Sequence, residues 1–146
     1  MLAEFLVPNG IRLAVTAKNW EQAIDAGGEP LLKAGLITSS YIEAIKKNHR
    51  EMPYMVIAPG IMLAHARPEC GAKGIGFSIV TLKSPVEFGS ELNDPVRLII
   101  TFATPDAESH VQMLEDLMGF LMNSDLEKFL ACPTISEATK ILRGED

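Results

Sequence analysis

"VRLIITFA", residues 96–103, is an almost unbroken apolar run. A strand with one solvated face alternates apolar and polar positions, so a run without alternation predicts a strand buried on both faces. Such a strand needs a layer above it and a layer below. "GIGFSIVTL" (74–82) reads as a second strand and "IRLAV" (11–15) as a third. "MPYMVIAPGIMLAHA" (52–66) is broken by Pro53, Pro59 and Gly60 and predicts two short extended pieces, the second ending at His65. Between the two clear strands, "KSPVEFGSELNDP" (83–95) is a polar connection with turn formers.

The flanking segments change period. After Asn19, an N-cap with Gln22 as capping-box partner, "WEQAIDAGGEPLLKAG" (20–35) has mostly helical spacing. Gly27, Gly28 and Pro30 interrupt it and predict a kink unless the proline ring is tolerated. Gly35 suits a helix C-terminus. "TSSYIEAIKKNHR" (38–50) is a second helix, capped by Ser or Thr, with Ile42 and Ile45 on one face and basic residues near its end. From about Asp106, apolar residues at Val111, Leu114, Leu117, Met118 and Leu121 predict a long amphipathic helix. Ser124 with Glu127 and Thr134 with Glu137 mark two shorter helices near 125–131 and 136–143. Strands with helices before and after imply one α/β layered sandwich. The length, 146 residues, suits one domain over residues 1–146 and allows a core without staples.

Composition narrows the function. Hydrophobic residues make up 47% and charged residues 22%, an ordinary globular balance. The net charge of −6 argues against binding nucleic acid, which calls for a basic stripe. No window approaches the ~20 apolar residues of a membrane span. The apolar start of "MLAEFLVPNG" is too short for a secretory leader and lacks a basic n-region. Cys70 and Cys132 form no CxxC pair. These features predict a reduced, cytoplasmic protein.

Three histidines are candidates for chemistry. His49, in the basic end "KKNHR", reads as a solvated residue near a negative helix terminus. His110 opens the long helix, where the dipole favours an anion over a protonated imidazole; its plain reading is a core histidine making one hydrogen bond. His65 ends the apolar run of "IMLAHARPEC" (61–70) beside Arg67. A neutral imidazole there is a nucleophile for a phosphoryl group, provided its other nitrogen is held by an acceptor. Arg67 offers donors that suit phosphate oxygens; its plain alternative is a surface ion pair with Glu69, worth about 0.5 kcal/mol. His65, Cys70 and His110 would make a three-ligand metal site, but the spacing fits no standard zinc pattern. A Cys–His hydrolase pair would need a low-pKa thiol and an oxyanion site that nothing signals. "GAKGIG" (71–76) precedes a strand and so fails the context of a dinucleotide or phosphate loop.

These stretches resemble the mannitol/fructose-type enzyme IIA of the bacterial sugar phosphotransferase system. "IMLAHARPE" is similar to that family's active-site stretch. "GFSIVTLKSPVEFG", "NDPVRLIITFA" and "DAESH" before a leucine-rich helix follow in the same order, so the resemblance spans nearly the whole chain. "HARPE" and "MPYMVIAPGIMLAHA" resemble the ascorbate-specific branch most. The resemblance implies a single three-layer α/β/α sandwich with a mixed β-sheet and helices on both faces. It implies a phosphocarrier in which His65 takes a phosphoryl group from the phosphohistidine of the carrier protein HPr. His65 would pass it to a cysteine of a cognate IIB component, which serves a membrane IIC permease during sugar uptake. His110 matches the family's second active-site histidine, which orients His65 or contacts the phosphoryl oxygens. No metal or cofactor is implied, and a homodimer stays open. Other readings are a phosphorylation-sensing module without a transport role, or the hydrolase and metal sites above. Two departures stand out. Ala64 replaces the proline usual before the active histidine. The arginine that the mannitol branch carries some sixteen residues upstream falls where this chain has Lys47, Asn48, His49 and Arg50, and alignment requires a gap. Arg67 is the expected cationic neighbour.

Overall fold

The apolar run 96–103 becomes the central strand of a five-stranded sheet. The computed structural model describes residues 2–123 and 125–144. Its strands are β1 (Leu6–Val15), β2 (Val56–Ala58), β3 (Ile61–Ala64), β4 (Gly76–Val86) and β5 (Val96–Ala103), ordered β1-β4-β5-β3-β2 across the sheet. β1 pairs with β4, and β3 with β5, in parallel; β4–β5 and β2–β3 are antiparallel. The sheet is therefore mixed.

Side-chain alternation assigns the two faces. Leu98, Ile100 and Phe102 of β5 join Ile61 and Leu63 of β3 in one core, with Met113, Leu117, Leu126, Phe129, Ala138 and Leu142. These last belong to α3 (Ala107–Leu121), α4 (Asp125–Leu130) and α5 (Ile135–Leu142). Ile99 and Ala103, with Met62 and Ala64, face the other core beside Ala23, Ile24, Leu31, Tyr41, Ile42 and Ile45 of α1 (Trp20–Lys33) and α2 (Ser39–Glu51). The result is the three-layer α/β/α sandwich.

Pro30 does not break α1. A proline at this position leaves the carbonyl of Ala26 without its helical donor. Arg12 Nη1 donates to that oxygen at 2.9 Å from neighbouring β1. Ser78 Oγ donates to the next carbonyl, Gly27, at 2.6 Å. The helix ends as expected: Gly35 takes φ +76°, and the amides of Gly35 and Leu36 donate back to the carbonyls of Leu32 and Leu31. Asn19 caps Gln22 N–H at 2.9 Å; Gln22 Oε1 returns to the amide of Lys18, one residue before the cap. Thr38 caps α2 by position only, since its hydroxyl bonds Ser40 Oγ instead of a helix amide.

Several boundaries differ from expectation. β1 begins at Leu6, because register breaks around Asn9 and Ala14, both at positive φ, let one bent strand span the stretch. Lys83–Val86 continue β4. On α3 the buried positions are Met113 and Leu117, whereas Val111 and Met118 lie exposed: the packed face is rotated from the expected stripe. Thr134 accepts from Glu137 N–H as expected; Ser124, the other expected cap, lies outside the described residues. His49 is not solvated. It is 3% exposed, because it continues the Ile42, Ile45, Lys46 face of α2 into the core. There its Nε2 meets the carbonyl of Phe88 at 2.6 Å, between the rings of Trp20 and Phe88. No helix among the described residues is long and apolar enough to cross a membrane.

Candidate functional site

Parallel strands place their carboxyl ends side by side, and in open α/β sheets ligands bind at that edge. Here β3 and β5 run parallel with Ala64 opposite Thr101. His65 follows β3 directly and His110 follows β5 through the turn into α3, so the topology brings together two histidines 45 positions apart in the chain. Their ring centroids are 5.4 Å apart.

His65 occupies the next step of the alternation Ile61, Leu63. Its ring lands on the α3 side of the sheet, stacked on Phe102 with centroids 4.8 Å apart and planes inclined by 22°. Its Nδ1 lies 3.0 Å from the carbonyl of Leu63. A carbonyl only accepts, so Nδ1 carries the proton and Nε2 keeps its lone pair. The backbone is also held: Leu63 N–H donates to Met55 O at 2.9 Å and His65 N–H to Met55 Sδ at 3.5 Å. Burial pushes the imidazole below its ordinary titration range; the Leu63 bond opposes this and His110 adds to it. The ring is thus neutral near pH 7. Ala64, buried and paired with Thr101, gives the preceding position strand support where the family's proline would fix φ.

His110 is the fourth residue of α3, whose N-cap Asp106 accepts from Ser109 N–H at 2.8 Å. Its Nδ1 faces Thr104 Oγ1 at 3.4 Å. On the other flank, Tyr41 reaches up from α2. Its hydroxyl accepts from Ala66 N–H at 3.0 Å and lies 2.9 Å from the carbonyl of Phe102 and 3.2 Å from that of Ala66. One buried phenol therefore ties the ends of β3 and β5 together.

Both histidines open into a cleft of about 1060 Å³, lined also by Asn48, Tyr54, Arg67 and Cys70. Tyr54 stands edge-on to His65 with centroids 6.5 Å apart. Arg67 is exposed on the cleft wall and, among the described residues, forms no ion pair with Glu69 or any other acid. Arg50 lies instead over the Trp20 ring at 5.6 Å. Cys70 shares the cleft, but no hydrogen bond joins its thiol to either histidine among the described residues. No group of three or more His, Cys, Asp or Glu among those residues is arranged to hold a metal.

Phe102, Tyr41, Tyr54 and Thr104 join the sequence candidates at this cleft. Phe102 had a usable signal, its place in the row Leu98, Ile100, Phe102 at the end of the strand. Tyr41, Tyr54 and Thr104 had none, since each meets the site through the fold.

A neutral imidazole pinned at Nδ1, a second imidazole beside it and a cation on the rim bring a nucleophile and donors suited to an anionic group into one cleft. Residues 4–144 match the model of the phosphoenolpyruvate-dependent sugar phosphotransferase system EIIA 2 family. The chain is 39% identical over 137 residues to the ascorbate-specific PTS system EIIA component of Salmonella typhi, covering 92% of this chain and 89% of that protein. It is 38% identical over 135 residues to the component of the same description from Escherichia coli strain K12, covering 90% and 88%. Among solved structures, the mannitol-specific cryptic phosphotransferase enzyme IIA CmtB of Escherichia coli superposes with a TM-score of 0.88 at 32% identity, covering 97% of both chains. Enzyme IIA for mannitol, solved in complex with phosphorylated enzyme IIB from Escherichia coli, gives 0.81 at 26% identity, covering 96% of this chain and 98% of that one. The chain belongs to the EIIA 2 family of the sugar phosphotransferase system and is a phosphotransferase of the phosphocarrier kind.

Proposed function

We propose that His65 Nε2 is the atom that carries the phosphoryl group, within one EIIA domain spanning residues 1–146. The observation that supports this most directly is the Nδ1–H···O=C bond to Leu63, which leaves Nε2 unprotonated and open to the cleft beside His110. The phosphohistidine of HPr docks over the cleft. The Nε2 lone pair of His65 attacks phosphorus as the donor P–N bond breaks, and the donor imidazole keeps the bonding pair. The bond to Leu63 stabilises the positive charge that spreads to Nδ1–H. A cysteine thiolate of the cognate IIB component then attacks phosphorus, and His65 leaves as the same neutral tautomer that began the cycle.

Transfer of this kind passes through a loose transition state, so positioning and charge stabilisation dominate. Arg67 supplies the exposed cation. His110, held through Nδ1 by Thr104, directs its other nitrogen toward the phosphoryl oxygens. A cradle with few cations suits a carrier, because one that binds the phosphoryl group too tightly slows the second transfer.

The similarity to ascorbate-specific components supports ascorbate as the sugar served, through a cognate IIB protein and a membrane IIC permease, with this chain working in the cytoplasm. The test is reconstitution with phosphoenolpyruvate, enzyme I and HPr. Wild type takes up one equivalent of acid-labile phosphate and His65→Ala takes up none while keeping its fold. Full acceptance by His65→Ala refutes the assignment. Passing the group to the IIB of an ascorbate system, and not to the IIB of a mannitol system, tests the sugar.

A further inference from the structure

We infer that Phe102 is a positioning residue for phosphoryl transfer: its buried ring is the platform that sets the plane of His65 and the spacing of the two histidines. The inference rests on the reading of His65 as the phosphoryl carrier.

Phe102 has no exposed surface. Its face lies under His65 at 4.8 Å and 22°, within the range of an offset stack, and it meets His110 at 5.6 Å and 40°. It is the one ring in contact with both imidazoles among the described residues. A single hydrogen bond pins His65 at Nδ1, but the ring can still pivot about that contact. A flat surface parallel to the imidazole removes that freedom and keeps Nε2 aimed at the cleft. Phe102 offers no donor or acceptor from its side chain, so it orders the ring without competing for Nε2. The platform is itself anchored, because its carbonyl is bound by the Tyr41 hydroxyl.

Filling the core does not require this ring. Leu98 and Ile100 occupy the two preceding positions of the same row as aliphatic residues, equally buried. The row becomes aromatic at the step that lies beneath His65. An aliphatic side chain there would fill volume but present no plane.

The experiment compares Phe102→Leu with Phe129→Leu in the full chain. Phe129 is just as buried, in the same core, and packs on Phe120 away from the cleft. The Phe102 variant lowers kcat for acceptance from phospho-HPr about three- to tenfold, the size expected for one aromatic stack, with KM for phospho-HPr unchanged. The Phe129 variant loses comparable thermal stability and keeps kcat. Nitrogen-15 NMR of unphosphorylated protein reads the ring directly: one His65 tautomer, protonated at Nδ1, in wild type and in Phe129→Leu, and a mixture in Phe102→Leu. Phe102→Met, similar in volume and without a flat face, replaces the leucine variant if that one does not fold. Unchanged kcat and tautomer in the Phe102 variant overturn the inference while leaving His65 as carrier. Equal loss of kcat in both variants also overturns it. Failure of wild type to accept phosphate at His65 removes the carrier reading instead.

Discussion

Replacing Tyr41 with Phe keeps the buried ring and deletes one hydroxyl, so its cost isolates the bond network behind the site. The hydroxyl is acceptor for Ala66 N–H at 3.0 Å and donor to a carbonyl, with Phe102 O nearer at 2.9 Å. Tyr41 is 1% exposed, so water does not replace the lost partner. A buried donor left without a partner costs about 1–3 kcal/mol, and the stranded carbonyl adds a similar or smaller amount. The expected loss is therefore about 2–4 kcal/mol, against a total of about 5–15 kcal/mol for a domain of this size. Urea unfolding followed by circular dichroism should show a lower midpoint with an unchanged slope. Alkali gives an independent reading. Burial pushes the Tyr41 phenol up to about 12, from an ordinary 10.0, with the Ala66 bond opposing and Cys70 adding. Between those values the unfolded chain releases the proton and the folded chain keeps it. The stabilisation is complete below pH 10 and is lost as pH rises toward 12, a span of about 3 kcal/mol. Tyr41→Phe should abolish that alkaline slope. A loss below about 0.5 kcal/mol, together with an alkaline slope equal to that of wild type, would refute the claim that this phenol clamps β3 to β5.

The other perturbations probe separate links. Arg67→Ala should slow acceptance and transfer at least about tenfold while changing stability by less than about 0.5 kcal/mol, since its guanidinium holds no ion pair among the described residues; the reverse pattern in kinetics and urea midpoints would make Arg67 a structural residue. His65 has a folded value below its ordinary 6.5, so the unfolded chain protonates first as pH falls. Its contribution is present above pH 6.5 and is lost as pH drops through the lower folded value, and His65→Gln should flatten that acid slope in thermal melts. Thr101 Oγ1 is buried without a hydrogen-bond partner among the described residues; Thr101→Val keeps the shape and removes the stranded hydroxyl, and should raise stability by about 1 kcal/mol. Gly27→Ala should cost about 1–3 kcal/mol, because the added methyl would run into Thr101 Oγ1 where α1 crosses the sheet.

The residues that were legible are those whose role is written in local pattern. The unbroken run 96–103 announced burial on both faces, and every residue from Leu98 to Phe102 is fully buried. The caps Asn19 and Thr134 follow from side-chain chemistry within four residues. What failed was long-range. Pro30 reads as a breaker until Arg12, eighteen positions earlier, supplies the donor its neighbour lacks. His49 reads as solvated by its basic neighbours, yet it extends the Ile42 and Ile45 face by one more turn and is buried with them. Helical period outweighed local charge there, and the period was available to be read.

The same division explains the site. His65 stood out because an imidazole ends an apolar alternation beside an arginine, a conflict visible within ten residues. Its contacts with Phe102 and His110 are not written in any local pattern, because sheet order supplies them. β3 and β5 are adjacent only because β4 inserts on the far side of β5 and β2 folds back outside β3. That order makes β3 and β5 a parallel pair, aligns their carboxyl ends, and sets Phe102 one step from His65 in register. A slip of one residue in that pairing would turn Phe102 to the α1 side and leave His65 over Thr101, with no ring beneath it and no phenol bridge to Ala66. The chemistry therefore depends on the register as much as on the histidine. The buried rows on both faces of β5 hold that register, since a slip would exchange two cores of different shape.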